Sequence, residues 1–492
     1  MHYFLTNKFE YNMSGIEHAQ FYRWQVFNDL KIESRIVTFD YTPELNRFLF
    51  RHSIDRDASL NMFDFWQSAL NGTIRDYPFV NEFADLKTEF EYYGQRTTPD
   101  YDLGKNKIRL VRYFNSDGQL VIEDHWDIRG FLSLRLEFNG KNVEKRSWFN
   151  PVRKVVLYEV GGLLIVTSDN PQYVAGKKNV YVNWREIKAA WLDYLASQDN
   201  EAVLYIDRAE YATPIVLTMQ NKFVPTYIVL HSAHTRDRND PLNSPLNDVR
   251  KLEFDHRERW QGYIAATPQQ AKDYTDRTGI KTFSIPVAQV KQEKLTLSVK
   301  PKGARNLIYA SRISREKRIQ DAIYAVAKLA SKYPDIRLHV YGYVTDSQYN
   351  NELLALIKQL KVEKNVFLLP YQENKDQLFA NADIFVLTSK YEGFNMSMLE
   401  AAAHGIPTVA YDVKYGPAYI HEKLESGVMV ESGNIEALSE GIASLLDNST
   451  EFNRQRKLGQ ERAIEVFGMH AITKKWKRFL ESENLLENTH SY

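Results

Sequence analysis

Short apolar runs alternate with helically spaced stretches at both ends of this chain, and from about 77 to 182 that alternation stops. The fold must accommodate both regimes, because a helix buries one stripe and a strand one face, each against another layer. Tyr3, Phe4 and Leu5 predict a strand, followed by a polar loop ending Asn12-Met13-Ser14-Gly15. A helix over 16–30, with Ile16, Ala19, Tyr22 and Phe27 inward, and a strand over 35–39 complete a βαβ opening, which implies a parallel sheet.

Hairpin signals then take over. Asn115-Ser116-Asp117-Gly118, Asn139-Gly140 and Gly161-Gly162 separate runs at 107–113, 119–124, 132–138, 155–159 and 163–167. Residues that tolerate positive φ at such spacing indicate an antiparallel meander. Aromatic residues are 13% of the chain, and Tyr92, Tyr93, Tyr113, Phe114, Trp126, Phe131, Phe138, Trp148 and Phe149 fall here. Aromatics pack well on a pleated surface; an exposed aromatic patch for a partner or acceptor is the other use.

The α/β pattern resumes with a helix over 184–197 and strands over 202–206, 226–230, 263–266 and 282–285. A polar stretch, 289–302, reads as a linker. Strands at 307–310, 337–341, 366–369, 384–387 and 408–411 then alternate with helices, one carrying Ile319, Ile323, Val326 and Ala330 on a single face. The expected fold is α/β, with two Rossmann-like doubly wound domains and the meander inserted in the first. The expected division is 1–76 and 183–302 for the first domain, 77–182 for the insertion and 303–470 for the second. A C-terminal helix in 471–492 is expected to pack back on the first domain.

Composition narrows the function. Lys plus Arg and Asp plus Glu are each 63, so no cationic surplus exists for nucleic acid or a polybasic membrane surface. The chain has no cysteine, which excludes disulfides, thiolate metal sites and a cysteine nucleophile. No signal peptide and no apolar window of roughly 18 residues is read, which predicts a cytoplasmic protein. The histidines and acids form no metal-ligand spacing, and Asp237-Arg238-Asn239-Asp240 reads as an exposed loop, so no essential metal is expected.

Two constellations carry chemistry. Glu392-Gly393-Phe394-Asn395-Met396-Ser397-Met398-Leu399-Glu400 follows the 384–387 strand, with its carboxylates in E-x₇-E spacing. Glu392 falls at the carboxyl end of a strand, where open α/β sheets bind ligands. Gly393 permits close backbone approach. The helix beginning near Asn395 offers free N–H groups to a phosphate, and Glu400 can accept from sugar hydroxyls. After the 307–310 strand, Arg312 and Lys317 are placed to clamp a diphosphate. Ser14-Gly15-Ile16-Glu17 is a weaker candidate for bringing amides near a phosphate. His231, with His234 nearby, follows the 226–230 strand.

Arg312…Lys317, Glu392-x₇-Glu400 and Asp412-Val413-Lys414-Tyr415-Gly416-Pro417 together resemble retaining glycosyltransferases of the GT-B fold, family 4. The insertion and Ser14-Gly15-Ile16-Glu17-His18-Ala19-Gln20 are similar to bacterial enzymes that place N-acetylglucosamine on serines of serine-rich-repeat or Ser-Asp-repeat surface adhesins. Their sister group is the wall-teichoic-acid α-glycosyltransferases. The resemblance implies a UDP-sugar-dependent hexosyltransferase with UDP-GlcNAc as donor and no cofactor. It implies that Arg312 and Lys317 bind the diphosphate, Glu392 the donor sugar with the amides of Phe394, Asn395 and Met396 nearby, and Glu400 the ribose. Tyr371 would meet uracil, His231 the reacting sugar and Gly15 the diphosphate loop. Two positions depart from the family pattern: Asn395 and Pro370 stand where it often has glycine.

The implied partners are the adhesin acceptor, a non-catalytic GT-B subunit and further copies of the chain joined through the meander. Membrane association would be peripheral, at the inner face. Transfer to poly(glycerol or ribitol phosphate) teichoic acid is the competing enzyme reading. An inactive adhesin-binding subunit would have no need of all four of Arg312, Lys317, Glu392 and Glu400. A glycosidase using Glu392 and Glu400 leaves the phosphate clamp unexplained.

Overall fold

The computed structural model describes residues 1–9, 13–70, 90–92, 95–101, 108–237, 240–290, 297 and 305–486. Asn12, Tyr93, Arg238, Asn239 and nearly all of the 289–302 linker lie outside the described residues. Two compact units are present: Met1–Trp24, Ile32–Tyr227 and Glu258–Trp260 in one, and Gln25–Lys31, Ile228–Arg257 and Gln261–Tyr492 in the other.

In the first unit, parallel strands lie in the order Val203–Ile206, His2–Thr6, Ser34–Thr38, Ser59–Asn61. Phe4, Leu5, Ile36 and Val37 are wholly buried, as expected of parallel strands covered on both faces. Helix Gly15–Asp29, whose residues from Gln25 on belong to the second unit, buries Ala19, Phe21, Val26 and Phe27, whereas Ile16 and Tyr22 stay half-buried. The buried stripe is therefore shifted from the one the spacing predicts.

The same unit holds a nine-stranded antiparallel sheet from Phe90–Tyr92 to Val180–Tyr181, in which sheet neighbours are also sequence neighbours. Gly118, Gly140, Gly161 and Gly162 occupy its turns with φ of 75°, 61°, 56° and 76°. Tyr113, Trp126, Phe131 and Trp148 are buried, and Phe114, Phe138 and Phe149 half-buried. Tyr113, Trp126, Phe131 and Trp148 are therefore packing residues; the side chains of Tyr92 and Tyr93 lie outside the described residues. Trp148 meets Trp184 of helix Trp184–Ser197 edge to face at 5.5 Å. Below it, Arg129 pairs with Asp64 and Asp127, both at 2.6 Å. All three side chains are buried, so each charge is compensated by its neighbours.

The second unit has a six-stranded parallel sheet. Its order is Val366–Leu369, Arg337–Tyr341, Asn306–Ala310, Ile384–Leu387, Thr408–Asp412, Val428–Glu431. The chain steps outward from Asn306–Ala310 in one direction, then returns to its other side with Ile384–Leu387. These neighbours form the topological switch point, where the loops diverge and leave a crevice. The unit also contains Thr226–Leu230 (most of it), Gly262–Ala265 and Thr282–Ser284, adjacent in that order. Helix Met469–Ser482 sets Trp476 edge-on to Phe27 at 5.4 Å and Phe479 to Phe283 at 4.7 Å. Among the described residues no helix is long and apolar enough to cross a membrane.

Candidate functional site

Both sequence constellations hang from the two strands of the switch point. Strand Asn306–Ala310 runs into a short 3₁₀ turn, Arg315–Lys317. The Lys317 carbonyl accepts from the Tyr309 hydroxyl at 2.6 Å and from Thr388 Oγ1 at 3.0 Å. Thr388 Oγ1 also lies 2.8 Å from the carbonyl of Arg318, which has φ of 49°. Anchored in this way, Lys317 donates from Nζ to Glu392 Oε1 at 2.7 Å, with the two side chains 12% and 11% exposed. The same oxygen accepts from Ser389 Oγ at 2.7 Å and Asn395 Nδ2 at 2.9 Å. Three donors on one carboxylate oxygen fix the orientation of the group. Among the described residues Oε2 accepts no hydrogen bond, which leaves it for a ligand.

Gly393 is required by contact. A Cβ there would stand 2.2 Å from the His231 carbonyl oxygen and 2.9 Å from its carbon. The backbone after strand Thr226–Leu230 is thus seated against the Glu392 loop. Asn395 has φ of 70°, in the left-handed region that glycine and asparagine populate most readily. That explains how asparagine can stand where glycine is frequent. It also does what glycine cannot: Oδ1 caps helix Met396–Ala403 by accepting from Met398 N–H at 2.9 Å while Nδ2 holds Glu392. The Met396 and Ser397 amides have no acceptor within the helix and remain for an anion.

Glu400 lies on this helix, its side chain 11% exposed, with Lys375 Nζ 2.9 Å from Oε2. The ammonium is off the hydrogen-bonding direction, and buried Oε2 accepts no hydrogen bond among the described residues. Glu400 raises the Lys375 pKa against the lowering effect of burial. Tyr371 is edge-on to Tyr343 at 6.0 Å, and burial raises its phenol pKa. Arg312, 49% exposed, donates to Glu316 at 3.1 Å and does not meet Glu392.

His234 differs from His231. It is wholly buried, donates from Nε2 to the Pro241 carbonyl at 3.1 Å and stacks on Tyr415 at 6.2 Å. Burial pushes its pKa down to about 4, so it is a neutral packing residue. Tyr415 in turn donates to Asp273 at 3.0 Å, and burial, then Asp273, raises its pKa.

In the first unit, Ser14-Gly15-Ile16-Glu17 forms a capping box: Glu17 accepts from the Ser14 N–H at 2.7 Å and the Ser14 hydroxyl at 2.5 Å. Arg208 donates to Glu17 at 2.5 Å. Gly15 is exposed at this helix start. The S-x-x-E signature was available in the sequence and is the local reason for the segment's shape.

Sequence reading singled out Lys317, Glu392, Asn395 and Glu400, which the structure brings into one loop-and-helix cluster with the Gly393–His231 contact beside it. It missed Ser389, Thr388, Tyr309 and Lys375. The hydroxyl pair Thr388-Ser389 directly after four apolar strand residues was a usable signal; nothing local marks Lys375. Among the described residues no three His, Asp or Glu side chains gather as a metal site.

Residues 290–463 match the family model described as glycosyl transferases group 1. The poly(ribitol-phosphate) alpha-N-acetylglucosaminyltransferase of Staphylococcus aureus (strain COL) is 24% identical over 512 residues, covering 98% of this chain and 99% of that protein. The UDP-N-acetylglucosamine–peptide N-acetylglucosaminyltransferase GtfA subunit of Streptococcus parasanguinis is 22% identical over 507 residues, covering 95% and 96%. The crystal structure of the pneumococcal O-GlcNAc transferase GtfA in complex with UDP and GlcNAc aligns with a TM-score of 0.75 at 18% identity, covering 99% of each chain. The fold is GT-B.

Proposed function

We propose that the chain is a group 1 glycosyltransferase that transfers N-acetylglucosamine from UDP-GlcNAc, with retention, to serine hydroxyls of a repeat-rich bacterial surface adhesin. The observation that carries the reading is the Lys317–Glu392–Asn395 cluster at the switch point, beside the open helix start. Arg312, Lys317 and the Met396 and Ser397 amides hold the diphosphate, Glu392 Oε2 accepts from a donor-sugar hydroxyl, and Glu400 binds the ribose. Tyr371 is assigned to the uracil, His231 to the reacting sugar and Gly15 to the diphosphate loop. Two relatives act with N-acetylglucosamine by name, which supports the choice of sugar.

The chemistry follows from charge. The anomeric C–O bond to UDP breaks, negative charge grows on the leaving phosphate, and the fixed cation and amides stabilise it without reorganising. Glu392, held by three donors through Oε1, is anchored as a binder and is not free to attack. The acceptor oxygen bonds to the anomeric carbon on the face that UDP leaves, and its proton passes to the departing phosphate oxygen.

Serine is favoured over a polyanion by the meander's charges. Among the described residues, four of its cations are paired across strands: Arg112 with Glu123, Arg135 with Asp124, Arg146 with Glu159 and Lys145 with Glu137. A poly(phosphate) acceptor calls for unpaired cations. The teichoic-acid reading keeps its own support in the staphylococcal relative, matched over nearly its whole length. The streptococcal relative is named a subunit, which supports a partner chain. Purified protein with UDP-GlcNAc or UDP-glucose, offered a Ser-rich peptide or a teichoic acid, tests the proposal: mass gain on the peptide is expected. Gain only on the polymer replaces the acceptor.

A further inference from the structure

Lys375 belongs to a five-residue helix, Lys375–Phe379, four residues after Tyr371. It is 28% exposed, and its charge reaches both Tyr371 and Glu400. Its ammonium covers the inward oxygen of Glu400, Oε2, at 2.9 Å. A buried carboxylate oxygen with no hydrogen bond is costly unless a cation compensates it, so removing the ammonium would leave Glu400 free to turn. With Oε2 sealed, Oε1 is the oxygen left to accept from a ligand.

A second tie lies beside the first. His404 Nε2 is 3.0 Å from Asp376 Oδ1, and its Nδ1 donates to the Glu400 carbonyl at 2.7 Å. Two consecutive residues, Lys375 and Asp376, therefore fasten their short helix to helix Met396–Ala403, one at the Glu400 side chain and one at its backbone.

We propose that Lys375 is a positioning residue for Glu400, clamping one carboxylate oxygen so that the other meets the ribose diol, and thereby setting a preference for ribonucleotide over deoxyribonucleotide donors. This rests on the reading of Glu400 as the ribose contact given above. Lys375 acts through Glu400 and needs no contact with the sugar.

Calorimetric titration of the full chain with UDP, 2′-deoxy-UDP and 3′-deoxy-UDP tests it. In Lys375→Met, UDP binding is expected to weaken about tenfold while at least one deoxy analogue binds within about twofold of its wild-type affinity, so that the ribo/deoxy ratio collapses. Lys375→Arg is expected to restore the ratio, and keeps the test readable should the methionine variant not fold. Equal weakening of all three ligands would mean a merely structural lysine and overturn the proposal. Glu400→Gln separates the two ideas. If it collapses the ratio and Lys375→Met does not, only the role of Lys375 is lost; if it leaves the ratio at the wild-type value, the ribose reading fails and this inference with it.

Discussion

Lys317 Nζ sits 2.7 Å from Glu392 Oε1, so the cation suited to a phosphate is already compensated by the carboxylate suited to a sugar. Neither group is isolated in the resting protein. Groups that share an interaction behave as a unit, and their deletions do not add. Lys317→Met is expected to lower kcat for UDP-GlcNAc about 10²–10³-fold, in the range seen for loss of one preorganised charge-stabilising donor. The double variant with Glu392→Ala should be little slower than the worse single one. Initial rates of sugar transfer check both; a Lys317→Met enzyme within about threefold of wild type would remove Lys317 from the site.

Gly393 tolerates nothing larger. In Gly393→Ala the new methyl would meet the His231 carbonyl at 2.2 Å, backbone against side chain, with no flexible end to yield. The expected cost is about 1–3 kcal/mol of unfolding free energy, typical of overpacking, read from urea denaturation. Transfer should fall as well, since the Glu392 loop and the His231 segment must part. An unchanged urea midpoint would show that the contact relaxes freely.

Asn395 separates backbone from side chain. Asn395→Gly keeps the left-handed backbone, so its stability loss should be small, a few tenths of a kcal/mol for the cap. Asn395→Ala loses the cap and adds left-handed strain, about 1–2 kcal/mol or more together. Both lose one donor to Glu392, so both should raise KM for the donor to a similar extent. Thermal melts and Michaelis curves, run on both variants, distinguish the effects.

His234 makes stability fall in mild acid. Burial depresses its folded-state pKa from 6.5 to about 4, so the unfolded chain takes the proton first. Its contribution is complete above pH about 6.5 and is lost progressively as pH drops toward 4, reaching about 3 kcal/mol. Arg277, Arg250 and Asp273 share its surroundings. His234→Gln should flatten that part of the profile, measured as unfolding free energy against pH.

Arg129 holds the meander to helix Met62–Trp66 through Asp64. Arg129→Ala would leave Asp64 and Asp127 buried with their main cation gone, costing about 3–5 kcal/mol. A loss under 1 kcal/mol by denaturant titration would contradict the network.

The β/α alternation was legible because parallel strands buried on both faces leave continuous apolar runs, as at 226–230 and 384–387; these two and the less buried 337–341 and 366–369 are seen in the structure with the same limits. The glycine-marked turns gave away the meander for a similar local reason. Less visible were strand Val428–Glu431, half-buried at a sheet edge, and helix Met62–Trp66, too short to show a period. Glu392 and Lys317 could be singled out separately, each at a strand end. That they touch could not, since the contact spans 75 residues and depends on which strands become neighbours. Lys375 was invisible for the same reason: an isolated lysine in a polar stretch acquires meaning only from the helix it faces.

Strands Asn306–Ala310 and Ile384–Leu387 are paired side by side although the chain travels through two further strands before it returns. The cluster hangs from this one seam: Tyr309 and Thr388 anchor the Lys317 carbonyl, and Lys317 and Ser389 meet on Glu392. Such an apparatus is portable. Its geometry is dictated by a single strand pairing, so the sheet and the meander of the first unit can diverge in sequence without retuning the Lys317–Glu392 cluster.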